Sequence, residues 1–414
     1  MQPDLSIDGV SANYWRALPD GRLLCEACPR ACKLKDGQRG LCFVRARRGD
    51  EMVLTTYGRS SGFCVDPIEK KPLNHFLPGT AVLSFGTAGC NLACKFCQNW
   101  EISKSREVDT LADAASPEAR ARAALAQGCS SLAYTYNDPI IFSEYAVDCA
   151  AAARALGVKN VAVTAGYVDG RAREDLFAAM DATNVDLKAF TEEFYRKTCS
   201  GSLEVVKDTL RYLVHETSVW VEITTLLIPG SNDDPHEIDT MTRWIASELG
   251  PDVPLHFSAF RPEFRMRSTP ATPHATLIRA RQIALGNGLR FVYVGNVLDE
   301  GRSSTWCSSC GEKLIGRARY RLTRYAVTES GCCARCNAPV PGVFAGRPGT
   351  WGHKRKPVRL SPRPTTATMP ASEDAPPTED APPTEDAPAA KPANGAALGP
   401  VLSGPTSTPP SPPS

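Results

Sequence analysis

No stretch of the 414-residue chain approaches the run of about 20 apolar residues that a membrane-spanning helix requires. The opening MQPDLSIDGVSANYW lacks both a basic start and an apolar region, so no secretory signal is expected and the location is read as cytoplasmic. Charge of one sign is almost absent. The 47 Lys and Arg against 45 Asp and Glu leave +2, which gives no electrostatic reason to expect a nucleic-acid or membrane partner. Aromatic residues are scarce at 7%, yet hydrophobic residues reach 42%. A sizeable core can therefore be buried, and a wholly disordered chain or a small disulfide scaffold is excluded. The length suits two or three domains.

Cysteine is what the chain has in abundance, with 16 residues. In a long chain with no signal segment, thiols point to metal sites rather than disulfides. Their placement is uneven. One group spans Cys25 to Cys42, one Cys90 to Cys97 and one Cys307 to Cys336, while Cys64, Cys129, Cys149 and Cys199 stand alone. The solitary four are expected to pack as small apolar residues.

Composition divides the rest. From Gly346 onward the chain holds 17 of its 34 prolines, and APPTED repeats from Ala375 to Asp386. Residues 346–414 are read as a disordered tail, in which the basic run Lys354, Arg355, Lys356, Arg359 and Arg363 precedes the acidic repeat. The middle alternates strand-like runs (81–85, 131–136, 160–165, 184–188, 219–228, 255–260, 291–294) with helical patterns. Ser116-Pro117-Glu118 marks a helix start, and Gly128 and Gly157 mark stops. Alternation of this kind predicts parallel strands with right-handed crossovers, an α/β fold forming a full or partial (β/α) barrel. In such barrels chemistry sits at the C-terminal strand ends.

The loop after the first of these runs reads GTAGCNLACKFCQNW, with Cys90-x3-Cys94-x2-Cys97. Three thiolates hold three irons of a four-iron cube and leave the fourth open to a small molecule. Closed structural zinc sites want four ligands and fit less well. Asp186 and Lys188 lie two apart on a strand and share a face. So do Glu222, Thr224 and Leu226, although the pattern does not say which face is interior. Asn137 and Asp138 before Pro139 suit a helix N-cap. Thr164, Ala165 and Gly166 suit a strand-to-helix turn. Glu69, Lys70, Lys71, Asn74 and His75 read as a solvated polar loop.

These segments together resemble the radical S-adenosylmethionine (SAM) superfamily. The resemblance rests on the Cys90-x3-Cys94-x2-Cys97 motif with Phe96 before its last cysteine, and on DPIEKKPLNHFLPGT (66–80), TYNDP (135–139), TAGY (164–167), VDLKAF (185–190), ITTLLIPGSND (223–233), HFSAF (256–260) and YVGN (293–296). As a set over roughly residues 20–340 they look like the radical SAM enzyme of the AmmeMemoRadiSam system, a relative of pyruvate formate-lyase activating enzymes. The resemblance implies a partial TIM-like barrel over 75–298. It implies a [4Fe-4S] cluster on Cys90, Cys94 and Cys97 whose open iron is chelated by SAM. Asn137 and Asp138 would then place the SAM amino group, Thr164 and Gly166 would lie near its ribose, and Asp186 and Lys188 would stand near SAM or substrate. It also favours a substrate or partner surface at residues 69–75. A reductant such as flavodoxin or ferredoxin is implied, as are Memo-family and AMMECR-type partners. Arg261 stands where this family would have histidine, and the proline-rich end exceeds the family's usual length.

Two further cysteine groups flank the barrel. Cys307-x2-Cys310 and Cys333-x2-Cys336 within residues 300–343 read as a zinc ribbon, with Cys332 as the spare or as a substitute for Cys333 and iron as the rival metal. Within residues 1–60, Cys25-x2-Cys28-x3-Cys32 and Cys42 would hold either a second iron–sulfur cluster or a zinc ion. Three readings follow. The first is reductive SAM cleavage with hydrogen abstraction from a substrate the residues do not name. The second is a glycyl-radical activase acting on a partner protein. The third is an iron–sulfur electron carrier or metal-dependent interaction module without radical chemistry.

Overall fold

The computed structural model describes residues 9–104 and 113–359. Seven β-rich runs form parallel strands: β2 (Ala81–Gly86), β3 (Ser131–Tyr134), β4 (Lys159–Thr164), β5 (Ala182–Asp186), β6 (Trp220–Leu227), β7 (Leu255–Ala259) and β8 (Val292–Gly295). Each pairs in parallel with its neighbour in chain order. Preceding them, β1 (Arg59–Pro67) pairs antiparallel with β2. The sheet is mostly parallel and of α/β type, and the described ladder pairs β1, not β8, with β2. This is the expected partial barrel. Residues of β2 and β3 are buried on both faces, as a parallel sheet covered by helices requires.

The helices between strands follow from local signals. Ser116 Oγ accepts from the Ala119 amide and starts α1 (Pro117–Ala126), while Gly128 at φ +67° ends its turn. Then come α2 (Ser143–Ala155), α3 (Gly170–Ala178), α4 (Leu203–Glu216), α5 (Pro235–Trp244) and α6 (His274–Gly286). Helix α4 shows why they dock. Leu203, Val206, Leu210 and Leu213 recur on one face and are buried. Each such leucine is worth about 1.5–3 kcal/mol of burial.

Both flanks are small antiparallel units. The N-terminal segment holds two three-stranded sheets. The C-terminal one pairs Thr305–Trp306 with β9 (Lys313–Ala318), and β9 with β10 (Arg321–Tyr325). These flanks and the barrel fall within one compact unit, Met1–Arg363.

The expected start of disorder at Gly346 is corrected. Residues 346–359 run along the barrel, and β11 (Lys356–Pro357) pairs antiparallel with β1. Amides of Gly349, Trp351 and Val358 donate to Pro78, Gly79 and Phe63 carbonyls. Trp351 and Val358 pack on the main core. Two apolar anchors and edge hydrogen bonds thus order a segment whose proline content suggested otherwise. The APPTED repeats and Arg363 lie outside the described residues.

Candidate active site

The C-terminal strand ends converge on a cavity of about 370 Å³. The loop after β2 contributes Cys90, Cys94, Phe96 and Cys97, and the loop after β3 contributes Asn137 and Asp138. Thr164, Asp186 and Lys188, Thr224 and Leu226, Ser258 and Asn296 enter from β4 to β8 or just beyond.

The cysteine loop is held from two sides. Asn137 Oδ1 accepts from the Thr87 amide at 3.2 Å, and its Nδ2 donates to Thr87 Oγ1 at 3.1 Å and Gly89 O at 2.9 Å. Its amide is therefore spent on bracing the loop. On the other side, Ala93 and Lys95 amides donate to Cys199 and Thr198 carbonyls at 2.9 and 3.0 Å. Cys199 is fully buried in the main core, as expected of a packing residue, and its carbonyl also holds the cysteine loop. Its thiol and the charges of Lys188 and Lys104 lower the Cys94 pKa against the effect of burial. The Cys199 thiol is raised in turn, chiefly by burial. Burial pushes Cys90 up to about 12. Cys97 Sγ lies 3.1 Å from Ser103 Oγ.

Asp138 is buried and does cap the short helix Pro139–Phe142, accepting from the Ile140 amide at 3.2 Å. It also accepts from Thr164 Oγ1 at 3.0 Å and the Ala165 amide at 2.9 Å, tying the loops after β3 and β4 together. Burial raises its pKa, with these donors and Lys188 opposing. Gly166 does not line the cavity. Its φ is +64°, its amide donates to Thr164 Oγ1, and an added Cβ would meet Val185 at 2.9 Å. Asp138→Ala is expected to cost about 2–4 kcal/mol, because it strands two buried amides and a hydroxyl. Asp138→Asn should cost about half as much, and thermal melts of the two variants check the pair.

Lys188 Nζ and Asp186 Oδ2 pair at 2.9 Å. The pair joins residues of one strand end rather than two strands, and Asp186 is 38% exposed. Burial would lower the Lys188 pKa, but Asp186 and the thiols raise it well above the usual range.

Thr224 and Leu226 line the cavity, so the face they share with Glu222 is the interior one. Glu222 accepts from the Asn74 and His75 amides at 2.9 and 2.7 Å, from Trp220 Nε1 at 3.0 Å and from His256 Nε2 at 2.7 Å. The solvated-loop reading of residues 69–75 is therefore overturned. Glu69, Lys71, Asn74 and His75 are buried, and β6 supplies a carboxylate for the Asn74 and His75 amides. His75 itself bridges Pro341 O and Tyr293 Oη.

A second cavity of about 660 Å³ shares Lys70, Pro72, Gln98, Ser258, Asn296 and Tyr320 with the first. Arg261 and Glu263 line it, as do Arg317 and Arg319 from the C-terminal hairpin. Arg317 is buried and donates to Asn74 O at 2.6 Å. No local pattern marked this hairpin as part of the site.

Cys307, Cys310, Cys333 and Cys336 have ligand atoms all within 4.8 Å of one another. Sulfur pairs at 3.7 and 3.8 Å match the ~3.8 Å edge of a tetrahedron with 2.3 Å metal–sulfur bonds. Cys332 is not in the set, which leaves Cys333 as the ligand. Among the described residues no other set of three cysteines, histidines or carboxylates closes to that spacing. Cys90, Cys94 and Cys97 thus surround their cavity at a wider spacing, which suits a multi-iron cube and not one ion. Thr224 Oγ1, buried in the same cavity, has no hydrogen-bond partner among the described residues, as expected of a group that meets a bound ligand. These residues fit a cluster with an adjoining small molecule.

Among the described residues no helix is long and apolar enough to cross a membrane. A family model for the radical SAM superfamily matches residues 85–241. An uncharacterized protein of Methanocaldococcus jannaschii is 38% identical over 307 residues, spanning 74% of this chain and 91% of that protein. A solved domain of pyruvate-formate lyase-activating enzyme from Bacteroides vulgatus is similar at a TM-score of 0.36 and 16% identity, covering 40% of this chain and 99% of that one. Streptococcus suis SuiB bound to precursor peptide SuiA is similar at a TM-score of 0.42 and 13% identity, covering 55% and 51%. With the three cavity cysteines inside the matched span and the archaeal relative aligned along nearly its whole length, the chain belongs to the radical SAM superfamily, whose fold implies a [4Fe-4S] cluster and SAM.

Proposed function

We propose that this enzyme cleaves SAM reductively at Cys90, Cys94 and Cys97 and directs the product radical at a small polar substrate in the 660 Å³ cavity. The observation that carries the reading is the convergence of three spaced thiols and six strand ends on one cavity, continuous in its lining with a second. When bound, the cluster and SAM supply a one-electron cleavage to methionine and a 5′-deoxyadenosyl radical that takes a hydrogen atom from substrate.

The chain's own residues bind, orient and shield. Cys90, Cys94 and Cys97 offer the thiols, and the Cys199 and Thr198 carbonyls hold their loop. Asn137 holds the cysteine loop, and Asp138 fixes the floor at Thr164 and Ala165. Lys188 is held by Asp186 beside Phe96. Its cation and Thr224 Oγ1 are groups a SAM carboxylate or hydroxyl can meet. Phe96 and Leu226 give the cavity apolar wall that limits water. In the larger cavity Arg261, Arg317, Arg319 and Lys70 outnumber Glu69 and Glu263, which favours a substrate carrying negative charge. A cavity of this size matches a small molecule, and this favours a small substrate over the glycyl-radical activase reading. On the motif resemblance, the proposed partners are Memo-family and AMMECR-type proteins and a flavodoxin or ferredoxin.

The test is anaerobic reconstitution with iron and sulfide, reduction, addition of SAM and measurement of 5′-deoxyadenosine by mass spectrometry. Wild type is expected to form it and Cys94→Ala to form none. Equal product from both would sink the assignment. A loaded, reduced wild type that neither binds nor cleaves SAM would return the protein to the electron-carrier reading.

A further inference from the structure

Cys25 ends the short strand Leu23–Cys25 and Cys28, Cys32 and Cys42 lie in connections after it, yet all four line one apolar pocket. Spacing alone allows zinc or an iron–sulfur cluster there. The structure contains its own reference for a single ion, the Cys307 group with sulfurs 3.7 and 3.8 Å apart. The N-terminal four share a pocket, but no three of them close to 4.8 Å. A cubane places irons and sulfides between its ligands, so its thiolates stand farther apart than those around one zinc. Two cations also face the pocket. Arg45 is fully buried there and is held by Ile141 O at 3.1 Å, Asn13 O at 3.2 Å and an ion pair to Glu144. Arg30 donates to Asn91 O at 2.8 Å.

We infer that Cys25, Cys28, Cys32 and Cys42 bind a second [4Fe-4S] cluster rather than zinc. The inference rests on the proposed function only in calling this cluster the second one. The site abuts the loop of the first. Asn91, next to Cys90, lines this pocket too, and an ideal Cβ on Gly89 would lie 2.0 Å from Cys42 O. Only glycine, here at φ +83°, permits so close an approach.

The experiment counts iron, sulfide and zinc in the full chain purified anaerobically from iron-supplemented cells, with EPR after reduction. Wild type is expected to hold about eight iron, eight sulfide and one zinc per chain. Cys25→Ala/Cys28→Ala is expected to keep about four iron, and Cys90→Ala/Cys94→Ala/Cys97→Ala likewise about four. Iron unchanged in the Cys25/Cys28 variant, with zinc falling from two to one, would overturn the inference. Iron lost only in that variant would uphold this site and sink the assignment of Cys90, Cys94 and Cys97 instead. Should the variant fail to fold, native mass spectrometry of the wild type decides. Mass for two clusters and one zinc supports the inference, and mass for one cluster and two zincs refutes it.

Discussion

Glu222→Ala is expected to lower the unfolding free energy by about 3–5 kcal/mol, the cost of breaking a buried charged network from one side. For a barrel of this size that is a fall in melting temperature of roughly 10 °C. The carboxylate is fully buried and accepts from two backbone amides, an indole and an imidazole. Burial is the largest single influence and would raise its pKa, yet the hydrogen bond and charge of His256 together with the charge and amide of His75 outweigh it and hold the carboxyl below its usual range. Removal leaves the Asn74 and His75 amides without an acceptor. The damage should travel, because Lys70 and Pro72 on the same loop border both cavities. Glu222→Gln keeps an acceptor for the amides and should lose less than half as much. Calorimetry and SAM titration of the two variants check this. Equal, small losses from both would show that the loop is held chiefly by its apolar contacts.

Cys310→Ser, or chelation of the bound metal, is expected to release the C-terminal hairpin while the barrel stays folded. Metal binding in small thiolate units supplies about 10–16 kcal/mol, and this unit has little else. Its own cluster of buried residues contains Leu314, Ile315, Val327 and Val340, with Cys307 and Cys333 themselves. Hydrogen exchange should rise by orders of magnitude across residues 313–325 and stay slow in β3 to β6. The hairpin carries Arg317, Arg319 and Tyr320 into the larger cavity. Loss of the metal should therefore abolish substrate turnover, with SAM cleavage without substrate reduced much less. Protection of residues 313–325 after metal removal would show that Arg317 anchors the hairpin on its own.

What could be read in the sequence was local. The strand runs, the cap at Ser116, the Cys90-x3-Cys94-x2-Cys97 loop and the two C-terminal knuckles each announce themselves within a few residues, and all have their counterparts in the structure. What could not be read depends on distant partners. Cys199 meets the cysteine loop because the helical segment Tyr195–Cys199 after β5 packs on the loop after β2, and no periodicity links those positions. In the sequence Glu222 is one polar residue on a strand of unknown facing; its four donors come from Trp220 two residues away and from Asn74, His75 and His256 far along the chain. Asn137 and Asp138 lie in the loop after β3, but their side chains are committed to protein groups, a fact that residue type cannot reveal. Trp100 shows the same limit, since only the fold brings it onto Phe264.

The segment at 346–359 bears on where the chain can be cut. Strand β1 would otherwise end the sheet with an open row of amides and carbonyls, a template for another molecule's strand. β11 covers part of that row, and its outer side offers Lys356 and Pro357, a charge and a residue with no amide hydrogen. A truncation placed at Gly346 to remove the proline-rich residues would strip this cover together with the Trp351 and Val358 anchors and invite self-association. A cut after Arg359 keeps the edge closed.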